Sequence, residues 1–470
     1  MPEKNVITIN REVIDLEEFE PNEILLDWIR DKRKLKGTKE GCAEGDCGAC
    51  SILISPIQGG KFTPANSCLL KLGQIVGSEI ITVEGLGNHQ NPHPVQKSLS
   101  INGGSQCGFC TPGIVVSLAG LLNHEKETYN EEDFHDALAG NLCRCTGYKP
   151  ILKAFKNVSD VKTSLPQSNK WSATKKFEGK NSCFYLPMSI KEALDISLNN
   201  KNTKFIAGGT DLNLDKNYFD SPSYIHLCRI PELSKIELNA NEIIIGSACS
   251  LEHLLPFFKK SFPYFAEIIK RFGSSQIRSQ ATLSGNLCTA SPIGDAAPCL
   301  IALDASLLIA TLSGKKFVSV EDFFIDYRKT ILEPNDILIN IRIPLLNNGN
   351  KFYAWKVSKR FDQDISTVSM AANINASNNG IINSCKISFG GLAATPIRSK
   401  EIENSMIGTL PLENLNHKIN VTSKAFKPVS DLRGSSLYRI NIAIGLIKRL
   451  LQTLNYPNSE NEVMNIKEVN

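Results

Sequence analysis

Residues 41–50 read Gly-Cys-Ala-Glu-Gly-Asp-Cys-Gly-Ala-Cys. Cys42, Cys47 and Cys50 stand in a Cys-x4-Cys-x2-Cys array, and Cys68 follows. That is the spacing of plant-type [2Fe–2S] sites, in which each of two irons takes two thiolates from the chain. Gly41, Gly45 and Gly48 crowd the same loop. Residues without side chains let backbone N–H groups approach the negatively charged sulfides of such a cluster. Structural zinc also takes four cysteines, although the x4-x2 spacing is unusual for it. Upstream, Val6–Asn10 and Val13–Leu16 read as a β-hairpin, and residues 24–33, introduced by Pro21 and Asn22, as a helix. A hairpin, a helix and then a cysteine loop predict a β-grasp ferredoxin domain over residues 1–86.

A second quartet follows: Cys107, Cys110, Cys143 and Cys145. Thr111, Pro112 and the apolar run from Ile114 to Leu122 predict a helix that starts right after Cys110, with Thr111 as N-cap and Pro112 at N1. Asn130-Glu-Glu-Asp133 opens another helix, which Gly140 closes, and residues 151–158 form a third behind Cys143-Arg-Cys145-Thr-Gly-Tyr-Lys-Pro150. Both cysteine pairs thus precede helix N-termini, whose free N–H groups and dipole favour an anion. Zinc is again the plain alternative. Residues 87–160 are expected to form a helical domain around a second cluster.

With 470 residues the chain has room for several cores. It is 42% hydrophobic and 21% charged, and a formal net charge of +4 makes no case for nucleic acid or an anionic membrane surface. The start, MPEKNVITINREV, has no apolar signal-peptide core, and runs such as Gly113–Leu122 are too short to span a bilayer. A cytoplasmic, reducing setting is expected, where cysteines serve as ligands more readily than as disulfides. Cys183, Cys228, Cys249, Cys288, Cys299 and Cys385 have no ligand spacing and read as small buried apolar residues. His89, His93, His124, His135, His226 and His253 have no supporting motif.

Residues 161–182, rich in Lys, Ser, Asn and Thr without an apolar period, read as a linker. Beyond it, strands and helices alternate, and no Gly-x-Gly-x-x-Gly follows a strand. Two segments stand out instead. In Phe205-Ile206-Ala207-Gly208-Gly209-Thr210-Asp211-Leu212 an apolar strand runs into paired glycines, a turn that can offer N–H groups to a phosphate or simply end a strand. From Arg271 to Asn286, and on to Pro298, the chain is dense in small and hydroxyl residues, as backbone wrapped closely around an extended ligand would be. Tyr438–Leu454 reads as a closing helix and the residues from 457 on as a polar tail.

GCAEGDCGAC (41–50), QCGFCTPGIV (106–115) and GNLCRCTGYKP (140–150) resemble the iron–sulfur modules of the xanthine dehydrogenase family, and all eight ligand positions are filled. The two later segments are similar, in order and spacing, to that family's FAD domain. KVSKRFDQDISTVSMA and ISFGGLAATP, within residues 351–396, are similar to its C-terminal flavoprotein part. The resemblance covers about residues 4–455. It implies an α+β multidomain chain: the β-grasp [2Fe–2S] ferredoxin domain, a four-helix [2Fe–2S] domain, a VAO/PCMH-type FAD-binding domain at 183–348, an α+β C-terminal flavoprotein subdomain at 349–456 and the tail at 457–470. It places the FAD diphosphate on Phe205–Leu212. Further FAD contacts fall on Thr282, Leu283, Ser284, Gly285 and Asn286, on Asp295, and on Phe272 near the flavin, with Leu338 and Lys356 as later ones. Ser284 departs from the family's glycine. Residues 360–364 would neighbour the flavin and tune nicotinamide access; a solvated charged loop is the plain alternative.

As a whole the chain resembles the small chain of the bacterial members. That implies two [2Fe–2S] clusters and FAD on this polypeptide, NAD as electron acceptor, and molybdopterin only on a large partner subunit, in a two-plus-two heterotetramer that oxidises hypoxanthine or xanthine. No residue here would be catalytic in the acid–base sense. Two alternatives stay open: another molybdenum hydroxylase, acting on aldehydes, nicotinate or carbon monoxide, and an electron-transfer module with an acceptor other than NAD.

Overall fold

A computed structural model describes residues 5–55, 61–123, 126, 128–161, 163, 165, 175–215 and 222–456. Much of the expected linker, the whole tail from 457 and His124 lie outside the described residues. The chain forms two compact units. The first comprises residues 1–231 with 273–281, the second 232–272 with 282–470.

In the first unit the hairpin forms as read. Strand β1 (Val6–Ile9) pairs antiparallel with β2 (Glu12–Asp15) across Asn10 and Arg11, both at positive φ, the primed turn that matches strand twist. β3 (Ser51–Ser55), β4 (Thr63–Asn66) and β5 (Glu79–Ile81) complete a sheet in the order β2-β1-β5-β3-β4, in which only β1 and β5 run parallel. The helix expected over 24–33 is one α turn, Leu25–Asp27, followed by a π turn, Trp28–Lys32. Trp28 is fully buried there and meets Phe19 edge-on, 5.6 Å between centroids.

Helices Pro94–Ile101, Thr111–Leu122, Glu131–Leu138 and Lys149–Lys156 share a core of Val95, Leu99, Ile114, Leu118, Phe134, Ile151 and Phe155. Cys110, not Thr111, takes the N-cap of the second helix, so Pro112 sits one residue deeper than the sequence suggests. A first-turn proline still costs no hydrogen bond there, because that N–H lacks a helical partner anyway. Asn130 caps the third helix, its side chain accepting from the Asp133 N–H while the Asp133 carboxylate accepts from its own.

The last part of this unit is a four-stranded sheet in the order Lys176–Glu178, Cys183–Tyr185, Ser223–His226 and Thr203–Ile206. Its Phe177, Phe184, Leu186, Ile206 and Tyr224 join Ile7, Ile9 and Trp28 in one apolar cluster. A β-carbon on Gly73 would lie 2.2 Å from the Phe184 ring, which explains a glycine at that point.

The second unit holds a five-stranded antiparallel sheet, ordered Ile236–Leu238, Glu242–Gly246, Ile337–Pro344, Ser306–Thr311 and Gly314–Ser319. A second antiparallel sheet runs Asn350–Val357, Val368–Ala376, Ile382–Gly390 and Ile397–Arg398. The closing helix, Ser436–Asn455, packs Ala443, Leu446, Ile447, Leu450 and Leu451 with Trp355, Met370, Ile387 and Phe389. Of the six cysteines read as core, Cys183, Cys249, Cys299 and Cys385 are buried, Cys228 is half-buried and Cys288 is exposed. Among the described residues no helix is long and apolar enough to cross a membrane.

Candidate iron–sulfur and flavin site

The 41–50 loop hangs between the 24–32 helical turns and β3. Its thiols associate in twos. The Cys42 N–H lies 3.3 Å from Cys47 Sγ, and the N–H groups of Glu44 and Asp46 point at Cys42 Sγ from 3.5 and 3.2 Å. The Cys47 thiol hydrogen-bonds Cys42 and, with those N–H groups, draws its pKa down to about 5, while Cys47, the donor, is pushed up. Cys50 and Cys68, both buried, lie Sγ to Sγ at 3.3 Å. In the second quartet the association crosses the motifs: Cys107 hydrogen-bonds Cys145, and Cys110 hydrogen-bonds Cys143, which also meets Thr146 Oγ1 at 3.1 Å. Cys107 and Cys145 are exposed.

Two thiolates about 2.3 Å from one tetrahedral metal stand roughly 4 Å apart, so each pair suits one ion. Among the described residues no three His, Cys, Asp or Glu side chains gather as a single-ion site would require. Two neighbouring pairs per quartet are the donor set of a two-iron cluster, which spreads four thiolates over two metals.

The glycines of the loop serve packing as well as the backbone N–H role read from the sequence. Gly48 has φ +65°, and a β-carbon there would come within 2.2 Å of the Gly140 carbonyl oxygen. The loop before Cys143 presses directly on the loop before Cys50. The Leu142 N–H donates to Cys47 O at 3.0 Å, and Asn141 Nδ2 to Gly48 O at 3.1 Å.

The residues expected around FAD fall in both units. Phe205–Leu212 belongs to the first; Phe272, Thr282–Asn286, Asp295, Leu338 and Lys356 belong to the second. Phe205 and Ile206 end a strand, and the chain then turns at Gly208 and Gly209, the latter at φ +74°. The carbonyls of this turn face the protein: Gln74 Nε2 donates to those of Ala207 (3.4 Å) and Gly208 (3.2 Å), and the Asn213 N–H to that of Gly209 (2.9 Å). Asn213 Nδ2 bonds Gln74 Oε1 at 2.7 Å and Leu69 O at 2.9 Å. A β-carbon on Gly208 would lie 1.9 Å from Gln280 O.

In the second unit Thr282 caps the helix Leu283–Cys288, its Oγ1 accepting from the Gly285 N–H at 2.9 Å. Ser284 Oγ and Asn286 Oδ1 are buried and find no protein partner. Unpaired buried polar atoms are costly, so two of them on the expected cofactor segment fit a bound polar ligand, Ser284 included. Asp295 and Lys356 are brought together: Lys356 Nζ sits 2.6 Å from Asp295 Oδ2 and donates to Asp364 O at 2.8 Å, and Ser366 Oγ donates to Asp295 Oδ1 at 2.5 Å. Leu338 is buried on its strand. Phe272 is half-buried, and the neighbouring Arg271 stacks on Phe361, 4.6 Å from the ring centroid, and donates to Phe361 O at 3.0 Å. The 358–365 loop is thereby tied at its root, and Asp364 accepts from the Arg360 N–H at 2.9 Å.

Family profiles match three stretches: the [2Fe-2S] binding domain over residues 82–156, the FAD binding domain in molybdopterin dehydrogenase over 175–346, and the CO dehydrogenase flavoprotein C-terminal domain over 353–454. The chain belongs to the molybdenum hydroxylase family. Relatives in that family include xanthine dehydrogenase 2 of Arabidopsis thaliana, 30% identical over 82% of this chain and 35% of its own length. The xanthine dehydrogenase of Emericella nidulans is 30% identical over 94% of this chain and 38% of its own. The chain thus spans about a third of the length of these curated relatives. Among solved structures, carbon monoxide dehydrogenase of Hydrogenophaga pseudoflava aligns at 25% identity and a TM-score of 0.53, over 57% of this chain and 94% of that one. Quinoline 2-oxidoreductase of Pseudomonas putida 86 aligns over the same shares at 21% and 0.52, a likeness of fold.

Sequence reasoning missed Gln74, Asn141, Asn213 and Gln276. All four are carboxamides that fasten functional loops, and none stands in a spacing that marks it. Gln276 lies in the Arg271–Asn286 stretch, whose small residues read as a ligand wrap, and Asn141 in the 140–150 motif, whose cysteines carry the signal. In the structure Gly273–Ala281 belongs to the first unit, where Gly140 must lack a side chain because a β-carbon there would lie 2.4 Å from Gln276 Oε1 and 2.5 Å from Ser274 Cβ.

Proposed function

We propose that this chain is the small, electron-transfer subunit of a xanthine dehydrogenase. The observation that carries the reading is the double pairing of thiols in two complete cysteine quartets, on a chain whose remaining length matches flavin domains. Cys42, Cys47, Cys50 and Cys68 hold one [2Fe–2S] cluster in a β-grasp domain. Cys107, Cys110, Cys143 and Cys145 hold the other in a four-helix domain. In a VAO/PCMH-type domain Ser284 and Asn286 turn their unpaired oxygens to FAD. Clusters carry one electron each and FAD one or two, which joins single-electron delivery to hydride transfer to NAD. The Gln74–Asn213 pair keeps the carbonyls of the 207–209 turn facing inward, so that its N–H side is offered to an anion. Purine oxidation itself belongs to a large molybdopterin-binding partner, in a two-plus-two heterotetramer.

A second reading, another molybdenum hydroxylase, has in its favour the carbon monoxide dehydrogenase profile over residues 353–454. The test is purification with the partner subunit, followed by hypoxanthine, xanthine, aldehydes and carbon monoxide as reductants with NAD. NAD reduction with the purines is expected. Turnover of another substrate class alone would overturn the purine assignment.

A further inference from the structure

The Gly273–Ala281 segment leaves the flavin domain's sequence and inserts a short helix, Ser275–Arg278, into the first unit. Its Gln276 is 1% exposed. Gln276 Nε2 donates to Asn141 Oδ1 at 2.8 Å and to Ser117 Oγ at 2.9 Å, and lies 3.5 Å from Ser51 Oγ. Each partner leads to a cysteine loop. Asn141 Nδ2 and Ser51 Oγ both donate to Gly48 O, at 3.1 and 2.7 Å, and Ser117 Oγ donates to Asn141 Oδ1 at 2.9 Å. Next to this network the Leu142 N–H donates to Cys47 O at 3.0 Å. A single hydrogen bond therefore joins the backbone of Cys47, in one quartet, to the residue before Cys143, in the other.

We propose that Gln276 is a positioning residue for electron transfer between the two quartets, holding the Cys47 carbonyl against the Leu142 N–H. The proposal rests on the cluster reading above. Gly48 and Gly113 are pressed so closely that a β-carbon on Gly113 would lie 2.2 Å from Gly48 O, so the backbone sets the approach and the buried side chains around Gln276 hold it. Gln276 donates into two acceptors at once in a dry interior, where a network is worth more than its separate bonds and its loss is felt along the chain of partners. With clusters bound, the metal held by one quartet would give a single electron to that held by the other, so one would be oxidised as the other is reduced, and no proton need move.

The test uses the full chain with Gln276→Leu, which keeps the volume and removes the donor, and Ser117→Ala, which removes one acceptor of Gln276 and one donor to Asn141. Iron content, the two cluster signals in electron paramagnetic resonance, their mutual magnetic splitting after dithionite reduction, and the inter-cluster transfer rate after flash reduction by a photoexcited flavin analogue are read together. In Gln276→Leu we expect parental iron and unchanged individual signals, an altered or lost splitting and an inter-cluster rate lower than the parent's. Ser117→Ala should show a smaller change in the same direction, and should decide the matter if Gln276→Leu does not fold. Splitting and rate equal to the parent in a fully loaded variant would overturn the role of Gln276 and leave the cluster reading intact. A parent protein with only one cluster signal would overturn both.

Discussion

At the scale of single residues the account rests on positions where one atom decides the outcome. Cys47→Ser should remove one of two cluster signals and halve the iron, from about four per chain to about two, leaving the second signal unchanged; metal analysis and low-temperature resonance check this. Gly208→Val has no space for its side chain, because Gln280 O already occupies the position of a β-carbon. Overpacking costs about 1–3 kcal/mol, roughly a 5- to 150-fold shift against the native turn, and FAD retention on gel filtration should fall with it. The buried pair of Lys356 and Asp295 is a structural counterpart. Lys356→Met leaves the buried Asp295 carboxylate with Ser366 and the nearby Arg271 charge, and breaking such a pair costs about 3–5 kcal/mol. The urea midpoint of the second unit should fall accordingly, and by less in the double variant with Asp295→Leu, which removes the stranded carboxylate as well.

At the scale of elements the strand Ser223–His226 carries a pH dependence. His226 is buried beside Arg229, and desolvation first, then the guanidinium, pull its pKa down to about 3. In the unfolded chain the imidazole takes its proton near the ordinary 6.5. Between those values the unfolded state binds the extra proton, so the contribution of this residue to stability is complete above pH 6.5 and is lost as pH falls towards 3. His226→Leu should have a melting temperature that falls less steeply between pH 7 and 5 than that of the parent; parallel curves would show that His226 is not the cause. The elements also show what the sequence could reveal. The hairpin at Val6–Asp15, the Asn130 cap and the final helix were legible because turn residues, capping boxes and apolar periods are local signals. The π turn at Trp28 was not, because it is imposed by fitting a large ring into a core assembled from β1, β3 and β5. The role of Gly48 was half legible: its backbone freedom shows in the loop, whereas its contact with Gly140 joins residues far apart in sequence.

At the scale of the molecule both cysteine quartets were evident from spacing, since ligand sets demand residue types that nothing else explains. The carboxamides that hold them together were not, since Gln and Asn at turns are too common to carry a signal. The division into two units was also hidden. Residues 273–281 lie in the flavin domain's sequence and pack with the iron–sulfur loops, which local patterns cannot express. The proposed electron route runs from two thiol-held clusters to a flavin that exchanges hydride with nicotinamide. The most direct measurement is anaerobic addition of NADH to the isolated, FAD-loaded chain, followed by low-temperature electron paramagnetic resonance. The account expects two distinct reduced [2Fe–2S] signals, with no xanthine present and no partner subunit. Clusters that stay oxidised with NADH yet are reduced by dithionite would contradict it.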